Sequence, residues 1–218
     1  MRTGTLVIGA LIFALTAAAV LVWTNTIELP GMTPSPTSQP TIAQGDAGEA
    51  AYMALINDPA LRKGFVATFA ESPSRQWQIT EGHMLEKFWL KQPDIVMARL
   101  RSNMPRRDDM LLQGLSIELP IEFAQMVNGK EIEVGLLARS SQTNGALEVS
   151  LVYATKQAGN SGWQTLKLTP QFELHSFKFA VPEVAEGYTA RPTIVVHADT
   201  QGQGRAVEIL GIYAKQTQ

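Results

Sequence analysis

The chain contains no cysteine, which excludes disulfides, thiolate nucleophiles and every thiolate metal site at once. Neither sign of charge is in surplus, with 18 Lys and Arg against 20 Asp and Glu. No basic field is available for counterion release from a phosphate backbone, so nucleic acid is not expected as a partner. Aromatic residues make up only 7% of the 218, so any ring-based binding platform has to be built from few side chains. No Gly-x-Ser-x-Gly elbow, phosphate loop or metalloprotease helix occurs. Asp108-Asp109 is the one adjacent acidic pair, and Arg106 and Arg107 beside it make it read as an exposed salt-bridged loop. His83, His175 and His197 show no i, i+2 or i, i+4 spacing, so no zinc site and no acid–base pair is read from them. A non-catalytic protein without cofactor or metal is expected.

What is present begins with one long apolar run. Residues 6–23, from Leu6 to Trp23, are interrupted only by Gly9 and Thr16. At 1.5 Å per residue a helix of that length nearly spans a hydrocarbon layer of about 30 Å. Arg2 precedes the run and no further Lys or Arg follows until Arg62. The positive-inside bias then keeps the N-terminus cytoplasmic and exports the rest. This predicts a single-pass anchor in a bacterial inner membrane, with the lipid bilayer as partner and a periplasmic or extracytoplasmic domain. A cleaved signal peptide is the competing reading, since Ala17-Ala18-Ala19 offers small residues, but Val20-Leu21-Val22-Trp23 continues the apolar stretch past them.

Residues 1–23 are thus read as the anchor and residues 24–45 as a linker, in which Pro30, Pro34, Pro36 and Pro40 bias the chain to extended conformations. Residues 46–62 hold a short helix and its connection. Asp46 and Glu49 have capping-box spacing, Tyr52, Leu55 and Ile56 share a side, and Pro59 stops the run, giving a helix over 47–57. A frayed arm is the alternative. Residues 63–218 carry the folded domain.

Period-two alternation dominates that domain. Ile132, Val134, Leu136 and Ala138 share one face of a strand over 131–138 while Glu131, Glu133 and Arg139 share the other, as in a half-buried strand. After Asn144-Gly145, a positive-φ turn signal, the pattern repeats in Leu147, Val149, Leu151 and Tyr153. Further strands are expected over 63–70, 95–101, 111–119, 163–168, 193–198 and 206–214. Residues 76–80 and 85–90 read as a hairpin across Glu81-Gly82, and 121–127 as a helical turn ended by Asn128-Gly129. In 172–181 the apolar phase passes from Phe172 and Leu174 to Phe177, Phe179 and Val181, which calls for a bulge or a crossing between sheets. About ten short strands separated by turns predict an all-β fold, a jelly-roll β-sandwich.

A resemblance rests on the order Gln76-Trp77-Gln78, Ala98-Arg99-Leu100-Arg101, Leu119-Pro120, Gly129-Lys130, Leu137-Ala138-Arg139, Gly162-Trp163-Gln164, Leu168-Thr169-Pro170 and Phe177-Lys178-Phe179. In that order residues 65–213 resemble the galactose-binding-like jelly rolls, especially carbohydrate-binding modules attached to bacterial xylanases and cellulases. The resemblance implies glycan binding without cleavage, through aromatic platforms on a concave sheet or at loop tips, and a structural calcium in many members. Here the last strand, residues 207–213, offers only Glu208 as an oxygen ligand, so no calcium is expected.

Tyr153 and Trp163 flank the polar loop 155–162, and Trp89 lies beside Lys91. These three are the candidate ligand-binding residues, because a pyranose stacks its C–H face on an aromatic ring. Core packing is the competing reading for Tyr153 and Trp163. The residues therefore point to an exported sandwich that binds a glycan or envelope polysaccharide. The alternative is a scaffolding module that docks on a membrane-complex protein.

Overall fold

The computed structural model describes residues 43–70, 77–91 and 94–217. The expected anchor at 6–23 and the linker up to residue 42 lie outside the described residues. Among the described residues, no helix is long and apolar enough to cross a membrane.

Two antiparallel sheets face each other. The front sheet runs β10 (Glu173–Ala180), β6 (Glu131–Ser140), β12 (Ala206–Gln216), β4 (Ile95–Ser102) and β3 (His83–Lys91), with β1 (Phe65–Thr68) also paired to β12. The back sheet runs β2 (Trp77–Ile79), β5 (Leu115–Glu118), β11 (Thr193–His197), β7 (Glu148–Thr155) and β8 (Gly159–Asn160), with β9 (Gln164–Lys167) also on β7. Helix α1 (Ala43–Ile56) precedes the first strand and α2 (Ile121–Met126) follows β5.

The alternation read from the sequence builds the core directly. Ile132, Val134, Leu136 and Ala138 of β6 join Ala98 and Leu100 of β4 and Val207, Ile209 and Ile212 of β12. They meet Val149, Leu151, Tyr153, Leu115, Ile117, Ile194 and Val196 of the back sheet in one buried cluster. Each such side chain contributes roughly 1.5–3 kcal/mol on burial, so the inter-sheet layer dominates the stability of the domain.

Four expectations need correction. Residues 76–80 and 85–90 do not form a hairpin: β2 pairs with β5 in the back sheet and β3 with β4 in the front sheet. The turn between them carries the chain from one sheet to the other, because Trp77 belongs on the back sheet, stacked on Phe69 with ring centroids 4.4 Å apart. The phase slip expected in 172–181 is also absent. β10 stays in unbroken register with β6 from Glu173↔Ala138 to Ala180↔Glu131, and Leu174 simply points outward, exposed. A slip does occur in β12, where a bulge between Ile209 and Gly211 resets the alternation. Leu210 and Tyr213, three apart, thereby reach the same outer face while Ile209 and Ile212 stay in the core.

That outer face explains the third correction, because β6 is covered on both sides rather than half-buried. Helix α1 lies across the front sheet and presses Tyr52 and Leu55 onto Ile95, Met97, Leu137, Leu210 and Tyr213, a second apolar cluster. The helix begins at Ala43, so Asp46 is inside it and is not its cap. The approach is close. A Cβ on Gly211 would lie 2.9 Å from Leu55 Cδ2, and one on Gly48 would lie 2.9 Å from Leu90 Cδ2. Truncating Leu55, which is fully covered, to alanine should cost about 3 kcal/mol. A urea-denaturation midpoint unmoved by that change would show that α1 is not held by this cluster.

Candidate functional site

The structure scatters the three candidate residues. Tyr153 has none of its surface exposed and tilts against Phe179 inside the core. It cannot offer a ring face to a ligand, which corrects that expectation: β7 alternates, and Tyr153 falls on the core phase with Val149 and Leu151. Trp89 is 57% exposed on edge strand β3 but pairs with Val96, a core residue, and so projects on the inner side of that strand. Trp163 sits on the far side of the back sheet, where its indole N–H donates to the Arg107 carbonyl at 3.3 Å. No shared platform results.

The outer face of the front sheet also carries a different arrangement, exposed at its Glu86–Arg99 end and buried at Glu208 and Arg139. Glu86 of β3, Arg99 of β4, Glu208 of β12 and Arg139 of β6 are direct register partners, Glu86↔Arg99↔Glu208↔Arg139, and so form one row across four adjacent strands. Three strand spacings of about 4.8 Å give that row a span of roughly 14 Å. Glu208 anchors it. Its Oε1 accepts from Arg99 Nη2 at 2.8 Å and Nε at 3.2 Å and from Ser141 Oγ at 3.0 Å, and its Oε2 accepts from Arg139 Nε at 2.7 Å. A phenyl ring lies against each guanidinium: Phe88 is 4.6 Å from Arg99 and Phe172 is 4.3 Å from Arg139. Arg101 and Glu86 extend the row at 3.9 Å from each other.

The electrostatics follow from the burial gradient. Glu208 is buried, and burial pushes its carboxyl up. The hydrogen bonds from Arg99 and Arg139 outweigh this and hold it below the ordinary carboxylate value. It stays ionised at neutral pH, as a carboxylate between two cations. Arg99, at 23% side-chain exposure, and Glu86, at 41%, reach solvent, so the row presents fixed donors and acceptors flanked by aromatic rings. Such a face suits a hydroxyl-rich ligand, which needs many directional hydrogen bonds and some apolar contact.

Sequence reasoning found none of this row as a site. Each residue is one charge on the outer phase of its own strand, and only the register of four strands, distant in sequence, brings them together. A usable hint was that Arg99, Arg139 and Glu208 interrupt otherwise apolar strands, and a charge there requires a partner.

A second polar cluster joins the ends of β3 and β4 in the front sheet to β11 in the back sheet. His83 and His197, 114 residues apart in sequence, stand with ring centroids 4.9 Å apart at 84°. His83 shares a hydrogen bond between Nδ1 and Ser102 Oγ at 2.9 Å, while its Nε2 has no partner. The Met104 carbonyl faces the His197 ring, yet neither ring nitrogen makes a hydrogen bond of acceptable geometry. Arg106 reaches over the cluster to Ser150 Oγ at 2.9 Å and Thr165 Oγ1 at 2.8 Å. Among the described residues no group of three or more His, Asp and Glu is placed to hold a metal ion. Close by, a cavity of about 680 Å³ is lined by Thr80, Glu81, Met104, Met110, Leu112 and Gln113.

No protein-family profile and no curated protein matches the sequence. Solved structures do share the fold. The N-terminal CBM22-1–CBM22-2 tandem domain of Paenibacillus barcinonensis Xyn10C aligns with a TM-score of 0.50 at 9% identity, over 71% of this chain and 46% of that one. The CBM22-1–GH10 modules of Clostridium thermocellum endo-1,4-beta-D-xylanase 10B, solved with xylohexaose, align at 0.47 and 12% identity, over 71% of this chain and 28% of that one. The chain thus spans less than half the length of either. At these identities the likeness is one of fold.

Proposed function

We propose that the sandwich is a non-catalytic glycan-binding domain and that the row Glu86–Arg99–Glu208–Arg139, with Phe88 and Phe172, is its ligand face. One observation carries the reading: four charged side chains in direct register across neighbouring strands, two of them backed by rings, with Glu86 and Arg99 reaching solvent. The fold shared with the CBM22 tandem domain supports it. The apolar run at residues 6–23 and the proline-bearing stretch behind it support presentation of this face from a bacterial inner membrane into the periplasm or extracytoplasmic space.

A second reading, a module that docks on a membrane-complex protein, draws on another observation. Met84, Met104, Met110 and Leu112 are exposed together with the cavity at the β2–β3 end of the sandwich, and methionine-rich surfaces adapt to protein partners. The two are separated by affinity electrophoresis of the detergent-solubilised full chain through gels containing soluble polysaccharides. At least one polysaccharide is expected to retard the chain, and Phe88→Ala to weaken retention at least about tenfold, while Met110→Ala leaves it unchanged. Absence of retardation by every polysaccharide would overturn the glycan reading. A stoichiometric membrane protein recovered with the wild-type chain and lost in Met110→Ala would favour docking.

A further inference from the structure

We infer that the ligand of the front-sheet row is an acidic polysaccharide, one whose sugars bear carboxylates, and that Arg99, the more exposed of the two arginines bound to Glu208, receives those carboxylates. The inference rests on the glycan reading of the same face and adds the ligand's charge.

The argument starts from which bonds the row spends internally. Glu208 is saturated, since Arg99 and Ser141 fill one oxygen and Arg139 the other. It has little capacity left to accept from sugar hydroxyls. The arginines are in the opposite condition. A guanidinium carries five N–H donors in a planar fork, yet within this triad Arg139 donates only through Nε and Arg99 only through Nε and Nη2. The triad therefore leaves more donors than acceptors uncommitted, and Arg99 is the arginine of the two that reaches solvent.

The charge count points the same way. The four-residue row is neutral by itself, and Arg101 beside Glu86 gives it one positive charge in excess, on a chain whose net charge is −2. A neutral glycan would leave that charge unmatched. A planar carboxylate accepts two parallel N–H bonds from a guanidinium fork, a match that a hydroxyl cannot make. Arg99 is held between its bonds to Glu208 and the Phe88 ring, 4.6 Å away, so its fork is in place before a ligand arrives, which lowers the entropic cost of binding.

The test compares polyuronates with their own carboxyl-reduced forms, in which each acid has become a primary alcohol on an unchanged backbone. The detergent-solubilised full chain is run through gels containing each polymer of a panel of polyuronates, each reduced counterpart and neutral xylan and β-glucan. At least one polyuronate is expected to retain the chain about tenfold or more strongly than its reduced form, and retention should fall as salt rises from 50 to 300 mM. Arg99→Lys, which keeps the charge and loses the fork, is expected to weaken that retention about tenfold, with thermal melting confirming that the variant is folded. Equal or stronger retention by the reduced or neutral polymers overturns the acidic ligand and leaves the glycan reading standing. Failure of every polymer to retain the chain overturns the glycan reading itself. Polyuronate retention unaffected by Arg99→Lys and undiminished by salt also overturns the assignment of Arg99.

Discussion

Replacing Glu208 with leucine should destabilise the domain by about 3–5 kcal/mol, the typical cost of removing one member of a buried ion pair. The side chain is 2% exposed and Arg139 is 9% exposed, so the substitution leaves a guanidinium in the sheet face with no carboxylate and little water. Arg99 is better placed to turn outward, at 23%, so most of the loss comes from Arg139. The double variant Glu208→Leu, Arg139→Met removes the stranded cation and should recover much of the loss, because the pair's own desolvation cost disappears with it. Urea denaturation of the single and double variants measures both. A loss below about 1 kcal/mol for the single variant would mean that the triad behaves as a surface pair. The pH dependence has a definite sign. Glu208 is held below the ordinary carboxylate value, so its contribution is fully present above that value and disappears as pH falls through the depressed one.

The same triad separates what the sequence could reveal from what it could not. Ile132, Val134, Leu136 and Ala138 were readable as one core face because alternation within a strand is local, and the structure places all four in the inter-sheet cluster. Sheet membership was not readable. Trp77 and Leu85 look like two arms of a hairpin until pairing sends one strand to each sheet. The bulge in β12 was missed for a related reason. In the run Val207 to Tyr213 nearly every residue is apolar, so the shift at Ile209/Gly211 leaves no trace in the alternation. In 172–181 an exposed leucine imitated a slip that the register does not contain. The site was still less legible, since rings alone were sought as platforms. Tyr153 is core by parity, and the rings on the ligand face, Phe88 and Phe172, act by backing arginines rather than standing alone.

Helix α1 connects fold to function on this sheet. Phe172, which stacks on Arg139, also packs beside the α1 cluster and lies 3.2 Å from where a Cβ on Gly48 would stand. One ring thus belongs both to the helix seat and to the ligand face. The arginine fork beside it is consequently held by packing rather than by solvent-exposed contacts alone.

Acid should loosen the end of the sandwich where His83 of β3 meets His197 of β11. His197 has no exposed surface, and its pKa falls from 6.5 to about 4, chiefly through burial and then through the neighbouring His83 and Arg106, with Asp199 opposing. His83 is lowered as well by burial. In the unfolded chain the His197 imidazole protonates near 6.5, so between that pH and about 4 the unfolded state binds more protons than the folded one. Stability therefore drops as pH falls through this window and reaches its full loss below it. A shift of this size corresponds to about 3 kcal/mol, enough to remove a sizeable part of an ordinary domain's stability. The cation would form beneath Arg106, which ties the loop after β4 to Ser150 and Thr165. His197→Phe keeps an aromatic ring against His83 and Trp163 but cannot protonate, so its stability between pH 7 and 4 should decline by about 3 kcal/mol less than that of the parent chain. Urea midpoints taken every half unit of pH supply the comparison. Parallel profiles for the two proteins would show that His197 takes up its proton as readily folded as unfolded, and that the unpartnered ring nitrogens at this end carry no energetic consequence.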